Sequence, residues 1–511
     1  MANAEQDLMD RLRSSDAANM VDIEAGCLGG NGDTPPGLNA KELYFDLLDA
    51  HAHESTLAQS RLFLAQQLDR VAHTTADLPA DMNDLAGWMK SNTAAVGQQY
   101  RDYLAERHSG GCRRYFAAKS HALHFLNAVA PTKLVDGAWL YGLVGQWRDA
   151  RYSELIRIYL EELGEGDADK NHVLVYKKLL ATHECTHWEN LDEPNFVQGA
   201  VQLSLAQHAC TFLPEVIGFN LGYEQLPLHL LICAYELNEL GIDPYYFTLH
   251  VTIDNAATGH AARAVQSVID AMPRLGDKRS FYQRIRTGYQ LNSLGAGTNE
   301  VIAGFDLDQA LLDVLASKAA IGAQLHSDYC RVAGKTVSEW LSQPGQIRGF
   351  VEALQKTGWI RRHEHPDNSR FWNLLVGEKG PMFGVFNAYE RQVVYDWIAG
   401  DSASDSIGAS ASYRNRERLA AAPPPDLYEG LRAGASSAPS RAERGARYWC
   451  GEETDSSDDF MTETRLLSDR LAEAADKHAA MDMLVPWLSP VHHHTAAGLM
   501  ATKIFSQWLR A

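Results

Sequence analysis

The sequence predicts an all-α protein, a helical bundle with additional helices at both ends. Three observations predict it. Apolar residues recur at spacings of three and four through most stretches between Ala40 and Ile398. Alternating runs of β-branched residues, the mark of strands, are scarce. Hydrophobic content is 45%, with 11 Trp and 20 Tyr, which is ample for a core between packed helices.

Composition narrows the function classes. At 511 residues the chain can hold two to three domain-sized units. A formal charge of −19 opposes general binding to nucleic acid or to an anionic membrane, both of which call for a basic face. The seven cysteines are scattered and form no CxxC, so neither a disulfide framework nor a thiolate zinc site is expected. A reduced, cytoplasmic setting is the expectation that follows. The N-terminus lacks the apolar core of a signal peptide, and Leu226 to Leu240 is interrupted by His229, Glu236 and Glu239.

Taken in order, residues 1–38 are polar, rich in glycine, and close on Pro35-Pro36, as a mobile leader would. Residues 39–290 read as one helical domain. ELYFDLLDAH and STLAQSRLFLAQQLDRVAH open it, and a stretch divided at Pro131 places Asp136 on the same helix face as Trp139 and Leu140. Helical spacing continues through VLVYKKLLATHECTHWENL, FVQGAVQLSLAQHACTFLPEVIGFNLGYEQL, LHLLICAYELNELG and PYYFTLHVTIDNAATGHAARAVQSVIDAM. Residues 291–398 form a helical extension. Residues 399–446, rich in Ser, Ala, Arg and Gly with Pro423-Pro424-Pro425, read as a linker or surface excursion. Residues 447–511 end the chain as a further helical segment.

Two stretches carry chemistry. In YLEELGEGDADKNHVLVY, Glu161 and Glu162 close an amphipathic helix, Gly164 and Gly166 stop it, and Asp167 is placed to cap a second helix bearing His172. A carboxylate and an imidazole are thereby delivered across a tight turn, a donor set suited to iron, manganese or zinc. In LHVTIDNAATGH, His250 and Asp254 are four apart and share a helix face. A carboxylate inside an apolar helix needs a partner, either a metal or Arg263. His260 lies about 80° round an ideal helix from His250 and joins them only if the helix loosens near Gly259. Glu215 is a further carboxylate between the two halves.

EELGEG followed by a histidine, then a later helix with His and Asp four apart, resembles the haem-oxygenase-like non-haem diiron oxidases, also described as iron-containing redox enzymes. The resemblance covers roughly residues 110–290. It implies a haem-oxygenase-like helical bundle holding two Fe(2+) per chain, with O2 as cosubstrate. Carried onto this sequence, the ligands implied are Asp136, Glu162, His172, His250 and Asp254, with His260 standing in for a final histidine that is absent at Ala257. Glu161 is the fallback for Glu162, and Glu215 a ligand or a support for one. Asp136 departs from the family's usual Glu, being a methylene shorter. The activity implied is N-oxygenation of an amino-acid-derived amine in natural-product biosynthesis, or else desaturation, lyase chemistry or oxidative decarboxylation. The partner implied is a small amino acid or amine substrate, in a chain compatible with a homodimer.

Rival signals lie nearby. His183-Glu184-Cys185-Thr186-His187 fits HExxH, which on a helix presents two zinc ligands and a general base, so a zinc hydrolase is one alternative. A helical interaction protein that has lost its metal is another, suggested by the substituted first ligand. His363-Glu364-His365 reads as a surface loop, and His492-His493-His494 receives no role.

Overall fold

The helical spacing of the sequence becomes helices almost throughout the computed structural model. It describes residues 38–49, 53–253, 259–323, 326, 329–376, 380, 382–400 and 460–510. The leader (apart from residue 38), the 399–446 excursion (apart from residues 399 and 400) and residues 447–459 lie outside the described residues, as does Asp254. Among the described residues the strands amount to a two-residue ribbon pairing Arg331–Val332 with Lys335–Thr336.

Three helices come first: α1 (Ala40–Leu47), α2 (Glu54–Val71) and α3 (Leu85–His108). The central bundle follows as α4 (Lys119–Ala128), α5 (Ala130–Lys133), α6 (Tyr141–Val144), α7 (Ser153–Glu162), α8 (His172–Thr182) and α9 (Val197–His208). It continues with α10 (Leu213–Tyr223), α11 (Leu228–Glu239), α12 (Tyr245–Ile253), α13 (His260–Ala271) and α14 (Lys278–Gln290). Helices α15 (Thr298–Ala303), α16 (Leu307–Gly322), α17 (Val337–Leu341), α18 (Ile347–Lys356), α19 (Arg370–Val376) and α20 (Ala388–Ala399) form the next group. The last are α21 (Phe460–Ala472), α22 (Lys477–Leu484) and α23 (Ala496–Arg510).

Helices α9 and α10 are mostly apolar and are buried, α9 from Gly199 to Ala206 and α10 from Pro214 to Leu221, with Gln202, Ser204, Glu215 and Asn220 the polar residues among them. Helix α10 meets α14 backbone to backbone: a Cβ at Gly218 would run into the Ile285 carbonyl, and one at Gly288 into the backbone of Glu215. Around these helices Phe125, Leu126, Tyr176, Leu231, Tyr246 and Phe247 belong to one core. A second core, with Leu315, Phe350, Phe371, Val393 and Trp397, serves α16 to α20. The two are tied where the Asp396 carboxylate accepts the Ser120 N–H at 2.7 Å, at the start of α4.

The C-terminal helices pack back onto the α7–α8 turn. Tyr159 donates its hydroxyl to the Leu488 carbonyl, and Gly166 lies so close to Leu499 and Lys503 that no side chain would fit there. Among the described residues no helix is long and apolar enough to cross a membrane.

Candidate metal centre

Glu162 is the last residue of α7, and the chain then reverses through Gly164, Glu165 and Gly166, all with positive φ. Asn171, rather than Asp167, caps α8: its side chain accepts the Leu174 N–H at 3.1 Å, while the Asp167 carboxylate turns to the Asp169 N–H at 3.1 Å. Asparagine immediately before the first helical residue is closer to the unpaired amides than an aspartate four residues earlier. His172 therefore opens α8 and faces Glu162 across the turn.

Asp136 departs from the helical expectation. It sits in a turn between α5 and the short 3-10 helix Ala138–Leu140, followed by Gly137 at φ +81°. The turn brings its carboxylate to His250 Nε2 at 3.1 Å and to within 3.8 Å of His172 Nδ1. Tyr223 donates to Oδ1 at 2.8 Å and Tyr246 to Oδ2, so both oxygens are held. Lys133 in turn donates to the Tyr223 hydroxyl at 3.0 Å.

Metal-ligating atoms of Asp136, Glu162, His172 and His250 lie within 4.8 Å of one another, all from buried residues. A second buried group, Glu162, Glu224 and His260, meets the same limit. Glu162 belongs to both. Its Oε2 points to His172, while Oε1 is 3.2 Å from His260 Nδ1. That same Nδ1 is 3.1 Å from the Glu224 carboxylate. The arrangement is two adjacent pockets sharing one carboxylate.

Burial alone would push the carboxyls of Asp136 and Glu162 up. For Asp136 it is outweighed by the Lys133 charge and the His172 and His250 rings, which hold it well below the usual carboxylate range. Glu162 is held down to about 2 against its burial by His172 and His260. His172 shows the converse: burial disfavours its charge, but the two carboxylates raise it to about 10. The centre thus favours positive charge among its carboxylates.

The donor atoms fit a metal. Both ring nitrogens of His172 and Oε2 of Glu162 are buried without a hydrogen bond, although Nδ1 and Oε2 are in close contact. His250 is placed to donate Nδ1–H to the Tyr246 carbonyl at 2.8 Å, which turns the Nε2 lone pair toward Asp136. Two acceptors facing each other call for a cation between them.

The other residues expected at the site divide clearly. His260 joins it, not on a bent continuation of α12 but as the first residue of α13, with Gly259 in extended conformation before it. Glu161 faces the opposite ring nitrogen of His260, at 3.0 Å. Glu215 is elsewhere: both its oxygens are held by Arg284, at 2.6 and 2.7 Å, joining α10 to α14. The HExxH helix does not form. Helix α8 ends at Thr182, Glu184 has φ +52° and accepts the Ala388 N–H, and His187 lies 3.5 Å from Glu390. The motif's i, i+4 spacing presents two ligands on one face only on a helix. Sequence reasoning missed Glu224, Tyr223 and Tyr246. The signal for Glu224 was an acidic residue directly after the apolar helix ending LGY, a position where a carboxylate needs a partner.

Residues 123–293 match the family model described as iron-containing redox enzyme. No curated protein and no solved structure matches. The matched segment runs from α4 to just beyond α14 and contains both ligand groups. Residues 123–293 are therefore a match to the haem-oxygenase-like helical domain of iron-containing redox enzymes. That match supports an oxidoreductase, and the buried Asp, Glu and His cluster within it is compatible with a diiron site.

Proposed function

We propose that the chain is a non-haem diiron oxidase or oxygenase with O2 as cosubstrate. Asp136, His172 and His250 would hold one ferrous ion, Glu224 and His260 the other, and Glu162 would bridge them. The single observation that carries this reading is the division of Glu162 between the two groups. When bound, the iron pair supplies the electrons that reduce dioxygen and the oxidising power passed to the substrate.

The chain's own residues do the rest. Asp136, Glu162 and Glu224 balance the charge of the metals. Tyr223 and Tyr246 fix the orientation of Asp136 through both oxygens. Trp139, Phe219, Tyr176 and Tyr246 are each fully buried, and Trp139 packs on Tyr223 with ring centroids 4.4 Å apart. Such a wall keeps bulk water from the reacting centre. As the particular reaction we put forward N-oxygenation of an amino-acid-derived amine in natural-product biosynthesis. This rests on the resemblance of the ligand pattern to that family. Desaturation, lyase chemistry and oxidative decarboxylation use the same kind of centre, and product analysis separates them.

The test is anaerobic ferrous titration followed by exposure to oxygen, with amino acids and simple amines screened as substrates. Two irons per chain, oxygen consumption, and a product one or more oxygen atoms heavier at nitrogen are expected. Products that have lost hydrogen or carbon dioxide would replace N-oxygenation by one of the other reactions. A chain that takes up no iron would overturn the diiron reading and leave a non-catalytic bundle.

A further inference from the structure

Glu161 lies beside the proposed bridging ligand, yet its carboxylate points elsewhere. Oε2 is 3.0 Å from Nε2 of His260, whereas the nitrogen turned toward Glu162 and Glu224 is Nδ1. The two nitrogens lie on opposite edges of the ring, so Glu161 cannot share a metal with His260 Nδ1 in this orientation. Its other oxygen takes the Arg263 guanidinium, which also reaches Glu154 at 3.7 Å. Arg263 is three residues after His260 on the first turn of α13, so one helix face presents both the imidazole and the cation that anchors its acceptor.

We infer that Glu161 is the positioning residue of the second metal pocket. It accepts the Nε2 hydrogen of His260 and so fixes the tautomer and ring plane that leave the Nδ1 lone pair facing Glu162 and Glu224. With a cation held at Nδ1 beside Glu162 and Glu224, the opposite tautomer would set a bare Nε2 against the Glu161 carboxylate, acceptor against acceptor, in a residue that is fully buried. Arg263 holds Glu161 in place through its other oxygen. This inference rests on the diiron reading and adds to it a carboxylate–histidine–metal relay running from the surface of α7 and α13 inward.

The test uses the full chain in three forms: wild type, Glu161→Ala and Glu161→Gln. Each is titrated anaerobically with ferrous ion against a competing chelator, and thermal unfolding of the metal-free forms is recorded. Glu161→Ala should weaken one of the two irons about 10- to 100-fold and leave the other within roughly threefold. Glu161→Gln should return the weakened site close to wild type, because the amide oxygen still accepts the Nε2 hydrogen. Wild-type protein that takes fewer than two irons overturns the diiron reading itself. If wild type binds two and Glu161→Ala binds both equally well, the diiron reading stands and this inference falls. It falls also if Glu161→Ala and Glu161→Gln lose iron alike, or if Glu161→Ala weakens both irons together in step with a lower unfolding temperature.

Discussion

Gly137 offers a way to move the bridging carboxylate without touching it. Its φ is +81°, and a Cβ built on it would lie 3.0 Å from Cβ and 3.2 Å from Cγ of Glu162. Alanine in the left-handed region costs about 1–2 kcal/mol from backbone sterics alone. Relaxed carbon contacts are roughly 3.5–4.0 Å, so Glu162 would have to retreat by about 0.5 Å. Metal ligands tolerate only about 0.2 Å. Gly241, at φ +68° and with nothing within 4 Å of where a Cβ would stand, isolates the backbone cost. Gly137→Ala and Gly241→Ala should therefore lose similar stability from φ, about 1–2 kcal/mol in denaturant unfolding of the metal-free chain. Iron affinity should fall on the order of tenfold or more at both metal positions in Gly137→Ala alone, since Glu162 is shared. Wild-type iron affinity in Gly137→Ala, or an equal loss in Gly241→Ala, would refute the idea that this turn sets the position of Glu162.

Two further outcomes are expected. His124, His229 and His494 are each pushed down to about 4, chiefly by burial, from an ordinary value near 6.5. Between those values the unfolded chain binds more protons than the folded one, so stability rises with pH across the window and is lost as pH falls through it. Urea midpoints of the metal-free chain should decline from about pH 6.5 toward pH 5, above the range where the buried carboxylates begin to add their own acid sensitivity; a flat profile would contradict this. His183→Ala and His187→Ala should leave the iron content of purified protein unchanged, because neither residue belongs to a ligand group. Loss of metal in either, measured by elemental analysis, would return the HExxH stretch to consideration.

What was legible in the sequence had a local cause. Glu162 and His172 stand either side of a glycine turn whose purpose is readable from helix-stop chemistry, and the structure brings the two together. His250 and His260 are polar groups among apolar neighbours, and such groups need partners when buried. The misplacements arose where the partner is distant in sequence. Asp136 looks helical because its neighbours are, but the turn is set by Gly137 closing on Glu162, 25 residues later by position. Glu215 and Glu224 are alike as letters, and only Arg284 on α14 decides that the first is an ion pair. HExxH failed because spacing reports a shared face only if the helix persists, and α8 ends at Thr182, before the motif begins.

The placement of the ligands explains why so much of the chain bears on the centre. Glu162 ends α7, His172 begins α8, Glu224 directly follows α10, His260 begins α13, and Asp136 lies in a turn. Helix ends bring side chains from several directions to one point, which two shared metal pockets require. They are also where backbone hydrogen bonding stops holding the chain in place. Several are held by further residues: Asp136 by two tyrosines, His260 by Glu161, and the start of α8 by its cap Asn171. Asn171 is itself 3.0 Å from Nδ1 of the buried His493, and Gly166 is pressed by α23. The C-terminal helices lie wholly beyond the matched segment, yet they close on the turn that separates Glu162 from His172. The geometry of the centre is therefore a property of residues 460–510 as well as of the bundle that supplies its ligands.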